Sequence, residues 1–344
     1  MLIRLCLVLF VLILSFVVQY YKERNITVYK LFMLLLGLTL IIPFVHRDFF
    51  FPYTLKGDYE NYLARYQYMT VQNAFSNIKD FGFNLLIVLC KTICSDYKLF
   101  FLICISITVV GVLKFIEDNS NDFMLSLNIY VSLFYLLSFN ILRQCMACAL
   151  CLSAFVYIKQ HKLIKYLLIV VTASLFHLSA LIFLVLYPLL IMKDSFKRKL
   201  FLISIIGVVS CFFRANLLSA LFLISKKMGT LYWKRYLSNA ALSADKINYT
   251  IFIISFLLLI LLTVVLYIKG FSIDEKMTYI YVLLCCVFSL MGPQNTVFSR
   301  MVVYFTPSII IGVPVVEKII KKDSNTTIFK FIIGGLLISR FCLN

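Results

Sequence analysis

The segment KGDYENYLARYQY, from Lys56 to Tyr68, sets the carboxylates Asp58 and Glu60 among Tyr59, Tyr62 and Tyr66, with Arg65 between them. Aromatic rings stack on the apolar faces of sugars while carboxylates accept their hydroxyl hydrogens, so this grouping suits a saccharide ligand. The same residues also suit an interfacial aromatic belt with solvated charges.

Three further residues interrupt or border long apolar runs: Arg143 in FNILRQCMA, His177 in ASLFHLSAL and Arg300 in NTVFSRMVVYF. A charge in such a setting is costly unless it has a partner, an aqueous cavity or a route to the headgroups. Gln144 beside Arg143 and Ser179 near His177 add hydrogen-bonding capacity. Taken singly, each has an ordinary reading, the arginines snorkelling to headgroups and the histidine packing with a hydrogen bond, and polar groups there also join helices to each other.

Other chemistries find no residues. No His-x-x-x-His, paired Asp-x-Asp or Gly-x-Ser-x-Gly motif occurs to support metal-dependent transfer or serine hydrolysis. Cys145, Cys148 and Cys151 recur at three-residue steps without an interleaved His or carboxylate, and read as small apolar residues. The excess of 33 Lys and Arg over 15 Asp and Glu brings no phosphate loop, RNP motif or zinc-finger spacing, so no nucleic-acid partner is expected.

The elements that position these residues follow from composition. With 62% hydrophobic and 14% charged residues, the chain is excluded from the soluble class. A helix needs about 20 apolar residues to cross a bilayer, because the backbone must bond internally there. Apolar runs predict an all-α, polytopic membrane protein with spans near 2–21, 28–45, 97–116, 123–139, 141–158, 200–222, 249–268, 277–292, 301–317 and 328–343. The first run is read as a retained span, since no small-x-small cleavage site follows it.

The basic loops Lys22–Lys30, Lys159–Lys165, Lys193–Lys199 and Lys318–Lys330 belong in the cytoplasm by the positive-inside rule. Holding both Lys159–Lys165 and Lys193–Lys199 inside requires Leu163–Met192 to go out and return, turning near His177. The count then becomes about twelve membrane helices with both termini outside. Outer segments fall near 46–96 and 214–248, the second unusually basic, which suits a long translocated loop or an anionic ligand. Arg143, His177 and Arg300 all reach the outer side, where they define a candidate site. Membrane lipids are the expected surroundings, and the absence of linkers and repeats predicts a single domain over 1–344.

In order and spacing the residues resemble the EpsG-type, Wzy-like family of bacterial polysaccharide (O-antigen) polymerases. The matching features are Gly57, Asp58, Asn61 and Tyr62 in the first outer segment, then GFNLL at Gly82–Leu86, then Arg143-Gln144 opening a helix. Phe176, His177, Ser179 and Ala180 follow, and Arg300 with Tyr304 four residues later closes the set. The chain departs from the family pattern where Gly57 directly precedes Asp58, and where Asp80-Phe81 replaces an acidic-Pro pair.

The resemblance implies a glycosyltransferase of the bacterial inner membrane that joins oligosaccharide repeat units carried on undecaprenyl diphosphate, at the outer face, into O-antigen, capsule or exopolysaccharide. Arg143 and Arg300, with Gln144 and Tyr304, would hold the diphosphate leaving group, so that no metal or other cofactor is needed. Tyr59 and Tyr62 would hold sugar, and His177 or Asp58 would take the acceptor proton. A chain-length regulator is a partner the resemblance leaves open. Two other functions remain in competition, a flippase or transporter of lipid-linked saccharide and a membrane acyltransferase. The first more often shows internal repeats, and the second leaves the arginines without a role.

Overall fold

A computed structural model of the protein describes residues 2–50, 58–76, 80–191, 249–269, 273–291 and 296–320. Every element among them is helical. The apolar run at the start forms α1 (Leu2–Tyr21), and a short turn leads to α2 (Ile26–Val45). Asn25 sets that entry, its side-chain oxygen accepting from the backbone N–H of Thr27 at 3.0 Å and of Val28 at 3.1 Å. Such a cap satisfies donors that a helix start otherwise leaves unpaired.

The predicted outer segment that follows is largely helical, with α3 (Arg47–Phe50), α4 (Tyr59–Tyr68), α5 (Val71–Ser76) and α6 (Phe81–Ile93). Next come α7 (Tyr97–Asn119), α8 (Phe123–Leu133), a 3-10 turn over Tyr135–Phe139, α9 (Leu142–Ser153) and α10 (Phe155–Lys159). Asp96 and Asp122 cap α7 and α8 through their carboxylates.

At α7 and α9 two backbones approach closely. A Cβ on Gly111 would stand 2.8 Å from the carbonyl oxygen of Ala149, so only glycine fits there. Small residues at such crossings are how membrane helices gain packing without a hydrophobic drive. Cys145, Cys148 and Cys151 lie buried on α9 as free thiols, as the apolar reading expects. On the opposite side α7 packs against α2 through Phe101 and Phe44, and the Tyr29 hydroxyl donates to Glu117 at 2.6 Å.

The stretch from Leu163 breaks where the basic loops require. α11 (Leu163–Phe176) ends at His177, whose backbone is extended, and a 3-10 helix (Leu178–Val185) and α12 (Leu186–Ile191) follow. The Tyr166 hydroxyl donates to the carbonyl of Phe183, 17 residues on. A straight chain would hold those residues far apart, so the segment folds back at His177. The basic loop Lys193–Lys199 lies outside the described residues, as do the predicted spans 200–222 and 328–343 and the predicted outer segment 214–248.

The chain divides into two compact units, with the elements above, through Leu184, in the first and Val185–Ile319 as the second. In the second unit α13 (Tyr249–Lys269) packs on α14 (Ile273–Met291), and α14 on α15 (Thr296–Phe305), before α16 (Pro307–Ile320). Leu258 of α13 closes on Gly312 of α16.

Among the described residues the helix bounds follow the predicted spans to within about five residues, but 123–139, 141–158 and 301–317 are each divided into two elements, near residues 134, 154 and 306. Three helices among the described residues, Ile26–Val45, Tyr97–Asn119 and Leu142–Lys159, are long and apolar enough to cross a membrane, and shorter apolar helices accompany them. Outward apolar faces, such as Leu9, Phe10, Ile13 and Phe16 on α1, suit contact with lipid.

Candidate functional site

Arg143 occupies the first turn of α9, where a cation opposes the helix dipole. Its compensation comes from Asp80, which opens α6 and bonds to the Arg143 guanidinium through Oδ2. Arg65 of α4 reaches the same oxygen at 3.5 Å. Two helix starts, each favouring negative charge, therefore share one carboxylate, and two guanidiniums converge on one of its oxygens.

Neighbouring side chains fix both arginines. Asn84, one turn into α6, accepts through Oδ1 from Arg65 Nε at 2.9 Å and from its Nη2 at 2.5 Å. The Arg143 guanidinium lies 5.6 Å from the ring centres of both Tyr62 and Phe83, and Arg65 lies 5.4 Å from Phe83. Cation–π attraction strengthens as such groups leave water. Burial, and then the charge of Arg143, press the Arg65 guanidinium below its ordinary pKa, while Asp80 acts against both. Burial raises the Tyr62 phenol, opposed by the Arg143 charge and aided by that of Asp58.

The supporting ties come from helix ends. Lys91 near the end of α6 donates to the carbonyls of Gln67 at 3.1 Å and Met69 at 3.0 Å, and the Tyr66 hydroxyl donates to that of Cys94 at 3.1 Å. These bonds lay α4 along α6. At the other end of α6, Gly82 abuts the backbone of Leu175, so the end of α11 that carries His177 packs beside the Asp80 cluster. The His177 Nδ1 stands 2.6 Å from the Ser179 hydroxyl, a bond that orients the ring.

Arg143, Tyr62 and Arg65 are thus brought together, and Gln144 is buried beside Arg143 on α9. Asp58 lies half-buried at the start of α4, where Asn61 Nδ2 donates to its carboxylate at 3.4 Å. Tyr59 belongs to a neighbouring cluster. The Arg47 guanidinium sits 3.8 Å above its ring, Phe101 packs 5.0 Å from it, and Arg47 also donates to the Phe139 carbonyl at 3.2 Å. Arg300 and Tyr304 lie on α15 in the second unit, where Arg300 is half-buried and the buried Tyr304 accepts through its backbone carbonyl from the Tyr281 hydroxyl at 2.6 Å.

Asp80, Asn84, Phe83 and Arg47 escaped the sequence reading as functional residues. The available signal for Asp80 was a lone carboxylate directly before an apolar helix, in a chain with 15 acids against 33 Lys and Arg.

Tyr62 is 3% exposed, and its ring is taken up by Arg143 and Phe83. Removing it is expected to loosen the arginine as well as the packing. Tyr62→Ala should cost on the order of 3 kcal/mol of stability, as large-to-small changes at buried aromatic positions do. Tyr62→Phe should keep most of that stability. Thermal unfolding of the purified protein provides the check, and an Ala variant that unfolds with the parent would remove the ring from this support.

A family model described as the EpsG family matches residues 49–342, which takes in every residue of the cluster. No curated protein and no solved structure matches the chain.

Proposed function

Because this chain belongs to the EpsG family, a family of the Wzy-like polysaccharide polymerase type, we propose that it polymerises oligosaccharide repeat units carried on a lipid diphosphate. Family membership and the apolar helices make it a membrane protein of polysaccharide biosynthesis. The observation that carries the finer reading is Arg143, a guanidinium held in place by a carboxylate and two rings while part of it faces outward.

In the proposed reaction an acceptor hydroxyl on the incoming unit attacks the anomeric carbon of the growing chain. The bond from that carbon to the diphosphate oxygen breaks, and negative charge gathers on the leaving group. A preorganised guanidinium stabilises that charge most as the bond breaks, which lowers the barrier rather than merely binding substrate. Arg143 is proposed for this role, with Gln144 as a neighbouring donor and Arg300 as a second anion ligand. The hydroxyl proton passes to His177, oriented by Ser179, or to Asp58. His177 is favoured by its half-buried place at the turn that ends α11 and by the ring orientation that Ser179 gives it. The reading puts this chemistry at the outer face of a bacterial inner membrane, on undecaprenyl diphosphate.

Cells that lack the protein should accumulate lipid carriers capped by a single repeat unit, with no long surface polymer. Loss of all surface sugar would instead indicate a flippase, and full-length polymer lacking an acyl group an acyltransferase.

A further inference from the structure

We infer that Asp80 is a resident counter-ion occupying the place of the substrate's diphosphate, holding Arg65 and Arg143 in register until the diphosphate displaces it. The inference rests on the diphosphate reading above and adds Arg65 and Asn84 to the binding site.

Four features of the cluster support an exchange. Both guanidiniums end on the same carboxylate oxygen, Oδ2, which is the convergence that a shared phosphate oxygen requires. The two arginine side chains are each 22% exposed while the carboxylate is 6% exposed, so the arginines are the part of the cluster that an incoming anion can reach first.

Two buried donors also lack acceptors. The Arg143 Nε and the Asn84 Nδ2 have no hydrogen-bond partner, although Asn84 is fully buried. An unpaired buried donor costs free energy, and one beside two guanidiniums is explained by an acceptor that arrives with the ligand. Asp80 meets the arginines through Oδ2 and bonds neither of these two donors.

Finally, Asp80 stands at a φ of 58°, in the left-handed region, and its side chain makes no capping bond to α6 although it occupies the capping position. The carboxylate has given up the usual role of an aspartate there in favour of the arginines. Once displaced, it would find the free N–H groups of α6 as an alternative partner, so the exchange leaves no charge stranded.

The test uses the full-length protein in nanodiscs with inorganic pyrophosphate as probe and calorimetric titration as readout. Wild type should bind, and Arg143→Ala should not. Asp80→Asn removes the competing charge while keeping the shape, and should bind about tenfold more tightly, whereas Arg65→Gln should bind more weakly. A structural organiser would behave oppositely, with Asp80→Asn losing affinity. Equal or weaker binding by Asp80→Asn, with Arg143 still required, overturns the exchange and leaves the diphosphate reading standing. Pyrophosphate binding that ignores Arg143 overturns the diphosphate reading itself. Should Asp80→Asn fail to fold, infrared difference spectra of wild type labelled with carboxyl-13C aspartate decide. One carboxylate band should shift on adding pyrophosphate and stay fixed in Arg143→Ala, and an unchanged wild-type spectrum overturns the exchange.

Discussion

Arg143→Lys is expected to lose most polymer formation, on the order of 10- to 100-fold in rate, although the charge is kept. A guanidinium presents a planar fork that bonds two oxygens at once, and a lysine ammonium offers a single point charge on a flexible stem. Loss of one charge-assisted hydrogen bond at the leaving group removes about 1.5–3 kcal/mol, which sets that range. The surroundings sharpen the expectation. Tyr62 and Phe83 flank the guanidinium, and an ammonium does not fill that flat slot. Arg143→Ala should fall at least as far, and it leaves Asp80 with Arg65 as its remaining cation of the two.

The measurement is the size distribution of surface polysaccharide in cells lacking the native protein and carrying each variant, at matched membrane abundance. Headgroup snorkelling predicts that lysine rescues, because it reaches the interface about as well. Polymer of parental length from Arg143→Lys would therefore end the proposed clamp at this position. The same pair of substitutions at Arg300 asks an independent question of the second unit. Rescue there by lysine would leave Arg300 as a simple positive charge near an anionic lipid.

Much of the helical layout was legible because apolar runs and basic breaks obey one constraint, that of a backbone satisfied without water. The break at His177 follows from length and charge together, since Leu163–Met192 is too long for one untilted span and the lysines on both sides demand a return. What lies between α2 and α7 was less legible. Residues 46–80 read as a polar outer segment, yet α4 is a helix whose Tyr62 and Tyr66 face inward and whose Arg65 crosses to α6. Short amphipathic helices lying on other helices leave no apolar run, and their polar residues look like solvated ones until a partner is known.

The site was half legible for the same reason. Arg143 stood out as a charge beside an apolar run, but its partner Asp80 is 63 residues away in sequence. Periodicity reports which face of a helix is buried and says nothing of which distant residue it meets. Asp80 appeared in the sequence only as a departure from an acidic-Pro pattern, and its left-handed backbone gives that departure a physical sense. Aspartate tolerates that conformation better than most residues do.

The contact beneath the site yields the other large effect. Gly82→Ala should destabilise the protein by about 1–3 kcal/mol and sharply reduce polymer length, even though alanine is the better helix former. A Cβ at Gly82 would stand 2.9 Å from the Leu175 Cβ and 3.2 Å from both the carbonyl carbon and oxygen of Leu175. Side-chain ends can rotate away, but a backbone carbonyl cannot, so α6 and α11 must separate. That movement would carry off Phe83 and Asn84 on one helix and His177 at the end of the other. Gly37→Ala on α2 is the matched control, because nothing lies within 4 Å of a Cβ there. It gains helix propensity without a collision, and should be neutral or slightly stabilising. Thermal unfolding of the two variants in the same detergent separates packing from propensity, and polysaccharide sizing reports the site. If Gly82→Ala unfolds no earlier than Gly37→Ala and still yields parental polymer, the approach of α6 to α11 does not set the geometry of the Asp80 cluster, and the place of His177 beside it carries no functional weight.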